Sequence, residues 1–288
     1  MKCIVRRWRR SLAALAGAGL MLTVHPAGAQ PLTVSAASSV ADVVAEAGRA
    51  WAAAGGAGVL VNAAGSHVLA RQIAAGAPVD VFLSADHAQM EVAERSGRIV
   101  PGSVRDLLAN TLVVVVPPGA PHPTLRPQDL AGPRIARVAL GNPESVPAGV
   151  YARQWLERAG LWPAVSSKVV PTLTVRAALA SVRAGRADAG VVFATDARTT
   201  PDVPIAYAVP PADVPPIRYP IAVVRGRREA EAARFVEFLF SPAARGILTR
   251  AGFTLAGAPA GGGPDAAAAG ETAPHPAPQA RRSEAEPR

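Results

Sequence analysis

One cysteine, Cys3, occurs in 288 residues. It lies in a basic leader, so the chain beyond that leader has no thiol, no disulfide and no thiolate to hold a metal. Aromatic residues are scarce at 5%, although hydrophobic residues make up 50%. The core must therefore come from Ala, Val and Leu, which suit tightly packed α/β layers. Charged residues reach only 18%, and acidic residues are outnumbered by basic ones, 21 to 30.

Several catalytic signatures are also missing. His67, His87, His122 and His275 show no metal-ligand spacing. Ser66-His67 lacks the G-x-S-x-G elbow, and sequence neighbours rarely reach nucleophile–base geometry. There is no G-x-x-x-x-G-K-[ST] loop and no strand-linked G-x-G-x-x-G. These absences argue against an enzyme.

The N-terminus has the layout of an export signal. Lys2, Arg6, Arg7, Arg9 and Arg10 precede an apolar stretch from Leu12 to Val24, and Ala27-Gly28-Ala29 offers a small-residue cleavage site. The apolar stretch is short for a span, which needs about 20 residues. Cleavage after Ala29 would remove five basic residues and lower the formal net charge from +9 to +4. The high pI is thus mostly a targeting feature, and nucleic acid is not an expected partner. No later apolar run reaches spanning length. Residues 257–288 are Ala, Pro and Gly with scattered charge and no apolar periodicity, the composition of a disordered tail.

Residues 30–256 alternate short β-like runs with helical patterns. Strands are expected at 32–35, 59–62, 79–83, 111–116, 137–140, 168–170, 189–193 and 219–224. Helices are expected at 40–54, 68–75, 87–96, 149–158, 176–184 and 229–240. This alternation predicts an α/β fold with mainly parallel sheets. The runs 111–116 and 219–224 bracket a self-contained βα block, which favours two lobes over one sheet. Lobe 1 is expected over 30–115 and 219–256, and lobe 2 over 116–218.

Polar or small residues gather where a strand ends and a helix begins: Ser38-Ser39, Gly65-Ser66, Pro147-Ala148-Gly149 and Thr174-Val175. Ligands of open α/β sheets bind outside the carboxyl ends of the strands. Helix N-termini there offer unpaired N–H groups and partial positive charge, which suit an anion. The plain alternative is that Ser39 and Ser66 only cap their helices. Arg225, Arg227 and Arg228 read as a solvated turn, and Arg71, Asp80 and Asp86 as structural.

The stretch Thr33-Val34-Ser35-Ala36-Ala37-Ser38-Ser39-Val40 resembles the opening of periplasmic molybdate-binding proteins of ABC importers. So do Gly65-Ser66 and 69–86, LARQIAAGAPVDVFLSAD. The likeness continues through 141–152, GNPESVPAGVYA, and 175–179, VRAAL. It ends with 190–197, GVVFATDA, then 218–224, RYPIAVV, and Ala251-Gly252-Phe253. These matches run in order through nearly all of 30–256.

The resemblance implies a type II periplasmic-binding-protein fold with the ligand in the inter-lobe cleft. It implies capture of molybdate or tungstate, a membrane permease as partner, a monomer, a periplasmic location and no cofactor. Molybdenum would enter only as molybdate, never as a bare cation. In that family two Ser hydroxyls, backbone N–H groups and a Tyr hydroxyl hold the oxyanion. Carried over by position, these fall on Ser39 and Ser66, on Ala148 and Val175, and on Phe193. Phe193 is a departure, because a phenyl ring donates no hydrogen bond. Ser38, where the motif usually has Ala, offers an extra hydroxyl. Phe193 keeps sulfate or thiosulfate open as ligands, and the fold also suits an oxyanion sensor without transport.

Overall fold

The structure, a computed structural model, describes residues 30–256. The signal segment expected at 1–29 and the tail expected at 257–288 lie outside the described residues. The strands are β1 Leu32–Ala37, β2 Val59–Ala64, β3 Val81–Leu83, β4 Arg105–Asn110, β5 Leu112–Val115, β6 Val138–Gly141, β7 Val169–Thr172, β8 Ala189–Phe193, β9 Ile205–Ala208, β10 Ile217–Val223 and β11 Thr254–Leu255. The helices are α1 Ala41–Ala53, α2 Ser66–Ala74, α3 His87–Arg95, α4 Pro147–Arg158, α5 Trp162–Val165, α6 Val175–Arg183, α7 Ala194–Arg198, α8 Glu229–Leu239 and α9 Pro242–Arg250. Among the described residues, no helix is long and apolar enough to cross a membrane.

Two sheets organise these elements. The first has the order β11-β4-β10-β3-β1-β2, and the second β7-β6-β8-β5-β9. Each has a parallel centre: β1 pairs with β2 and β3, and β6 pairs with β7 and β8. Each also has antiparallel members. β10 runs against β3 and β4, and β5 runs against β8 and β9. The antiparallel pairs come from the segments that carry the chain between sheets, from β4 to β5 and from β9 to β10.

One expected boundary needs correction. Leu112–Val115 was assigned to lobe 1, but it pairs with Phe193–Gly190 of β8 and belongs to the second sheet. Sheet membership changes at Thr111. The apolar run 111–116 reads as one strand, but hydropathy does not reveal which neighbour supplies its hydrogen bonds. At the return crossing, β10 begins at Ile217, slightly earlier than expected.

The helix starts also move toward the strands. α2 begins at Ser66, α4 at Pro147 and α6 at Val175, each ahead of the apolar stripe that marked the helix in sequence. Thr174 caps α6 by accepting the Ala177 N–H at 3.1 Å. Pro147 occupies the first turn of α4, where its missing N–H costs nothing and its fixed φ suits the helix. β4, β9, β11, α5, α7 and α9 were not expected. Ser241-Pro242 is a legible start signal for α9, since Ser241 accepts the Ala244 N–H and Pro follows it.

The main core fills with small and branched residues, including Val34, Val114, Val138, Leu140 and Val191, and with Trp155 and Phe235. A second cluster on the first sheet joins Leu69, Ile73 and Met90 from α2 and α3 to Phe82 and Ala222. With so few aromatic side chains, close approach of backbones takes the place of bulk. Gly149 shows this at the start of α4: a Cβ there would overlap the carbonyl oxygen of Gly141 at the end of β6.

Candidate functional site

Four strand ends and four helix starts meet at one small cavity. Its lining is Ala37, which ends β1, with Ser38 and Ser39; Ala64, which ends β2, with Gly65 and Ser66; Ala85 after β3; Val146, Pro147 and Ala148 at the start of α4; and Val175 and Phe193. All five expected site positions, Ser39, Ser66, Ala148, Val175 and Phe193, are therefore together, and Ser38 joins them. The space is about 10 Å³ for the centre of a water-sized sphere. That is about the room of a single water, so the lining residues close tightly around a small space.

No charged side chain lines this cavity. Ala148 and Val175 lie in the first turns of α4 and α6, where backbone N–H groups have no intrahelical acceptor. The same ends carry the positive pole of the helix dipole. The site thus offers neutral donors and oriented dipoles among buried residues, where each hydrogen bond is stronger than in water.

The two serines do not cap their helices. The cap position of α1 is Val40 and that of α2 is Gly65, and neither makes a side-chain capping bond. Ser66 Oγ instead accepts the Ala85 N–H at 3.0 Å. Ser39 Oγ lies 3.0 Å from the Tyr219 hydroxyl. Both serines are buried, at 5% and 1% exposure, so their hydroxyls face protein and cavity rather than bulk water. Sequence reasoning missed Tyr219. A tyrosine inside an apolar strand requires a partner for its hydroxyl, but Ser39 lies far away in sequence.

Phe193 is 1% exposed, and its ring centroid is 5.8 Å from that of Tyr219. The position that would carry a tyrosine hydroxyl thus presents a ring edge or face to the cavity.

Contacts across the cleft hold the two sheets' loops together. Arg176, next to Val175, reaches across to Asp42 of α1 at 2.6 Å, and also meets Asp196 of α7 on its own side at 3.3 Å. A Cβ on Gly65 would stand 3.0 Å from the Leu173 carbonyl oxygen, so the two lips touch there. Asn110 donates to Thr195 Oγ1 at 2.8 Å where the chain crosses between sheets.

Two buried carboxylates flank the cavity. Burial raises Asp86 to about 6, against its bond from the Gln89 N–H. Burial raises Asp196 to about 7, because the single long contact from Arg176 offsets only part of the desolvation. Its Oδ2 has no hydrogen-bond partner among the described residues. His67 beside Ser66 is pushed down by burial and by Arg71. Asp80, read as structural, accepts the Thr33 N–H at 2.7 Å and meets Arg228 through Nε at 3.2 Å. Arg228 therefore departs from the solvated turn expected for it.

A larger groove of about 870 Å³ opens among residues 116–135 and Asp188. Val116 follows β5, and Ile135 and Asp188 precede β6 and β8, so the groove lies at the opposite end of the second sheet. It shares no residue with the small cavity.

Two α/β units, with strand ends and helix starts converging on a shared small cavity, define a two-lobed solute-binding fold of type II. The bacterial extracellular solute-binding protein family matches residues 32–254. The chain is 35% identical to the molybdate-binding protein ModA of Escherichia coli, over 88% of this chain and all of that one. The periplasmic molybdate-binding protein of Azotobacter vinelandii superposes with a TM-score of 0.71 at 26% identity, covering 78% of this chain and 99% of that one. The substrate-binding domain of a putative molybdenum ABC transporter from Clostridium difficile superposes at 0.62 with 30% identity, over 78% and 98%. This chain belongs to the ModA family of bacterial extracellular solute-binding proteins.

Proposed function

We propose that this protein captures molybdate or tungstate in the small cavity and delivers it to the membrane permease of an ABC importer. The observation that carries this reading is the convergence of Ser39, Ser66, Ala148, Val175 and Phe193 on one small cavity lined by no charged side chain, beside helix starts. A dianion there is held by two hydroxyls and by main-chain N–H groups. Relatives described as molybdate-binding proteins support the choice of ligand.

The protein's role is capture and release, with no covalent chemistry. Lobe 1 comprises 30–110 and 217–256, lobe 2 comprises 112–216, and Thr111 lies in one of the two crossings. Contacts such as Arg176–Asp42 form when the lobes close over the ion. Export with cleavage after Ala29 places a monomer in the periplasm, where it meets the permease. Phe193 gives a specific reason to include sulfate and thiosulfate in any test, because it removes one donor the family uses.

The test is thermal unfolding of the protein lacking residues 1–29, with molybdate, tungstate, sulfate and thiosulfate. A ligand at 100 times its Kd stabilises the native state by about 2.7 kcal/mol. For a domain of this class each kcal/mol moves Tm by roughly 2–4 °C. Molybdate and tungstate should therefore raise Tm by roughly 5–10 °C. A shift with sulfate or thiosulfate alone would transfer the site to those anions, and no shift with any of them would overturn the reading.

A further inference from the structure

A directional hydrogen-bond chain ends at Ser39. It begins at Asn110, the last residue of β4. Asn110 Oδ1 accepts the Thr111 backbone N–H at 2.9 Å. A backbone N–H can only donate, so this contact fixes which end of the amide is oxygen. The Nδ2 group then points the other way and donates twice, to Thr195 Oγ1 at 2.8 Å and to the Tyr219 hydroxyl at 3.1 Å. An amide Nδ2 cannot accept a hydrogen bond, so of these two side-chain partners only Ser39 Oγ, 3.0 Å away, can take the single proton of Tyr219. Burial holds the phenol in its protonated form. Ser39 Oγ is thus an acceptor toward Tyr219, and its own proton is left for the cavity it lines.

The strands make this arrangement independent of the second lobe. Tyr219 lies opposite Leu108 in the β10–β4 register, and β1, which leads to Ser39, joins the same sheet. Only Thr195 belongs to the other side. The hydroxyl of Ser39 is therefore aimed before any closure, which lowers the ordering cost of binding. Ser66 is aimed the same way by a simpler device, the Ala85 N–H donated to its Oγ at 3.0 Å.

We propose that Asn110 and Tyr219 are positioning residues that fix the Ser39 hydroxyl as a donor to the bound oxyanion. This rests on the reading of the cavity as the oxyanion site.

A double-mutant cycle tests it, with molybdate affinity measured by titration calorimetry. Tyr219→Phe removes one buried oxygen at unchanged ring shape. It should weaken binding by roughly three- to tenfold, the worth of a cooperative, oriented hydrogen bond. In a Ser39→Ala background the same change should have no further effect, because nothing is left to orient. A purely structural role would lower affinity by the same factor in both backgrounds, and that result overturns the proposal. Melting of the ligand-free variants reports whether they fold. If Tyr219→Phe does not fold, Asn110→Ala takes its place in the cycle, with the same expectation of a loss that vanishes without Ser39. A wild-type protein that gives no molybdate heat overturns the site reading and the relay with it. A wild type that binds, a Ser39→Ala variant that weakens, and additive losses overturn the relay alone.

Discussion

The two walls of the cavity are built from different materials. The wall from the first sheet presents side chains: Ser66, whose oxygen accepts the Ala85 N–H, and Ser39, which is hydrogen-bonded to the Tyr219 hydroxyl. The wall from the second sheet presents backbone at Ala148 and Val175 and a phenyl ring at Phe193. The first wall can be altered one atom at a time. The second depends on where the helices α4 and α6 begin, so its donors respond to changes in backbone packing rather than to deletion of a side chain.

The largest effect should therefore come from moving the second wall. Gly149→Ala in an ordinary helix would gain about 1 kcal/mol of propensity. Here the added Cβ overlaps the Gly141 carbonyl oxygen. Overpacking of this kind costs about 1–3 kcal/mol and shifts the backbone. The first turn of α4 must move away from β6, taking the Ala148 N–H with it. Affinity for molybdate should fall by about a hundredfold or more, with Tm lowered as well. Tight binding with a normal Tm would show that the second wall tolerates displacement and contributes little.

The first wall should respond in smaller, countable steps. Ser39→Ala and Ser66→Ala each remove a hydrogen bond to a charged group, worth about 1.5–3 kcal/mol, so affinity should drop roughly ten- to hundredfold. Each change also strands a buried donor, the Tyr219 phenol or the Ala85 N–H, and should lower ligand-free stability by about 1–3 kcal/mol. Calorimetry and denaturant melts separate the two losses. Wild-type affinity in both variants would mean that the backbone wall alone holds the ion.

This contrast also explains what could be read from the sequence. The serines were legible because several polar or small residues gather at strand-to-helix junctions and the family resemblance falls on two of them, although Ser there is also an ordinary helix cap. Their engagement was not legible. Ser39 looked like a helix cap, whereas its partner is Tyr219 on a strand from the far end of the chain. Ala148 and Val175 carry no signal in their side chains; resemblance alone pointed to them. In the fold, the central parallel strands stood out as apolar runs. β4, with its charged start Arg105-Asp106, and the short edge strand β9 did not, because their pairing is antiparallel and set by partners distant in sequence. The change of sheet at Thr111 was hidden for the same reason.

Acidity distinguishes the walls in another way, since each has a buried carboxylate beside it. Both are raised above their ordinary 3.8, Asp86 to about 6 and Asp196 to about 7. An acid whose folded value is raised binds its proton more tightly in the native state. Its stabilising contribution is complete below about pH 4 and is lost as pH rises through 6 to 7. Stability should therefore decline between about pH 4 and pH 7 through these two groups and be level above that. Asp86 keeps a bond from the Gln89 N–H, whereas Asp196 Oδ2 has no hydrogen-bond partner among the described residues. Asp196→Asn should accordingly remove the part of the decline that extends to pH 7, and raise stability at pH 8 by about 1–2 kcal/mol. Asp86→Asn, which retains a capping oxygen, should remove the part that ends near pH 6. An unchanged profile in either variant would mean that its carboxylate titrates in the ordinary range.

The smallest expected effect would make the second wall more like the first. Phe193→Tyr adds a hydroxyl at nearly unchanged shape, on a ring that already lines the cavity and packs 5.8 Å from Tyr219. A new bond to the oxyanion is bounded by about 1.5–3 kcal/mol. Against it stand up to about 2 kcal/mol for an ordered water the hydroxyl displaces and the cost of fitting an atom into a tight space. The net should be about 1 kcal/mol, a roughly fivefold tighter molybdate complex, with no comparable gain for sulfate if the pocket is already shaped for the larger ion. Unchanged affinity would show that the second wall works through its backbone alone. Weaker binding would show that α7 and its neighbours have settled around the phenyl ring, so that the donor lost at position 193 is replaced by others, such as Ser38. Titrating the variant against both anions separates these outcomes: a gain for molybdate marks the new donor, no change for either anion marks a position that makes no bond, and a loss for molybdate marks a pocket settled around the phenyl ring.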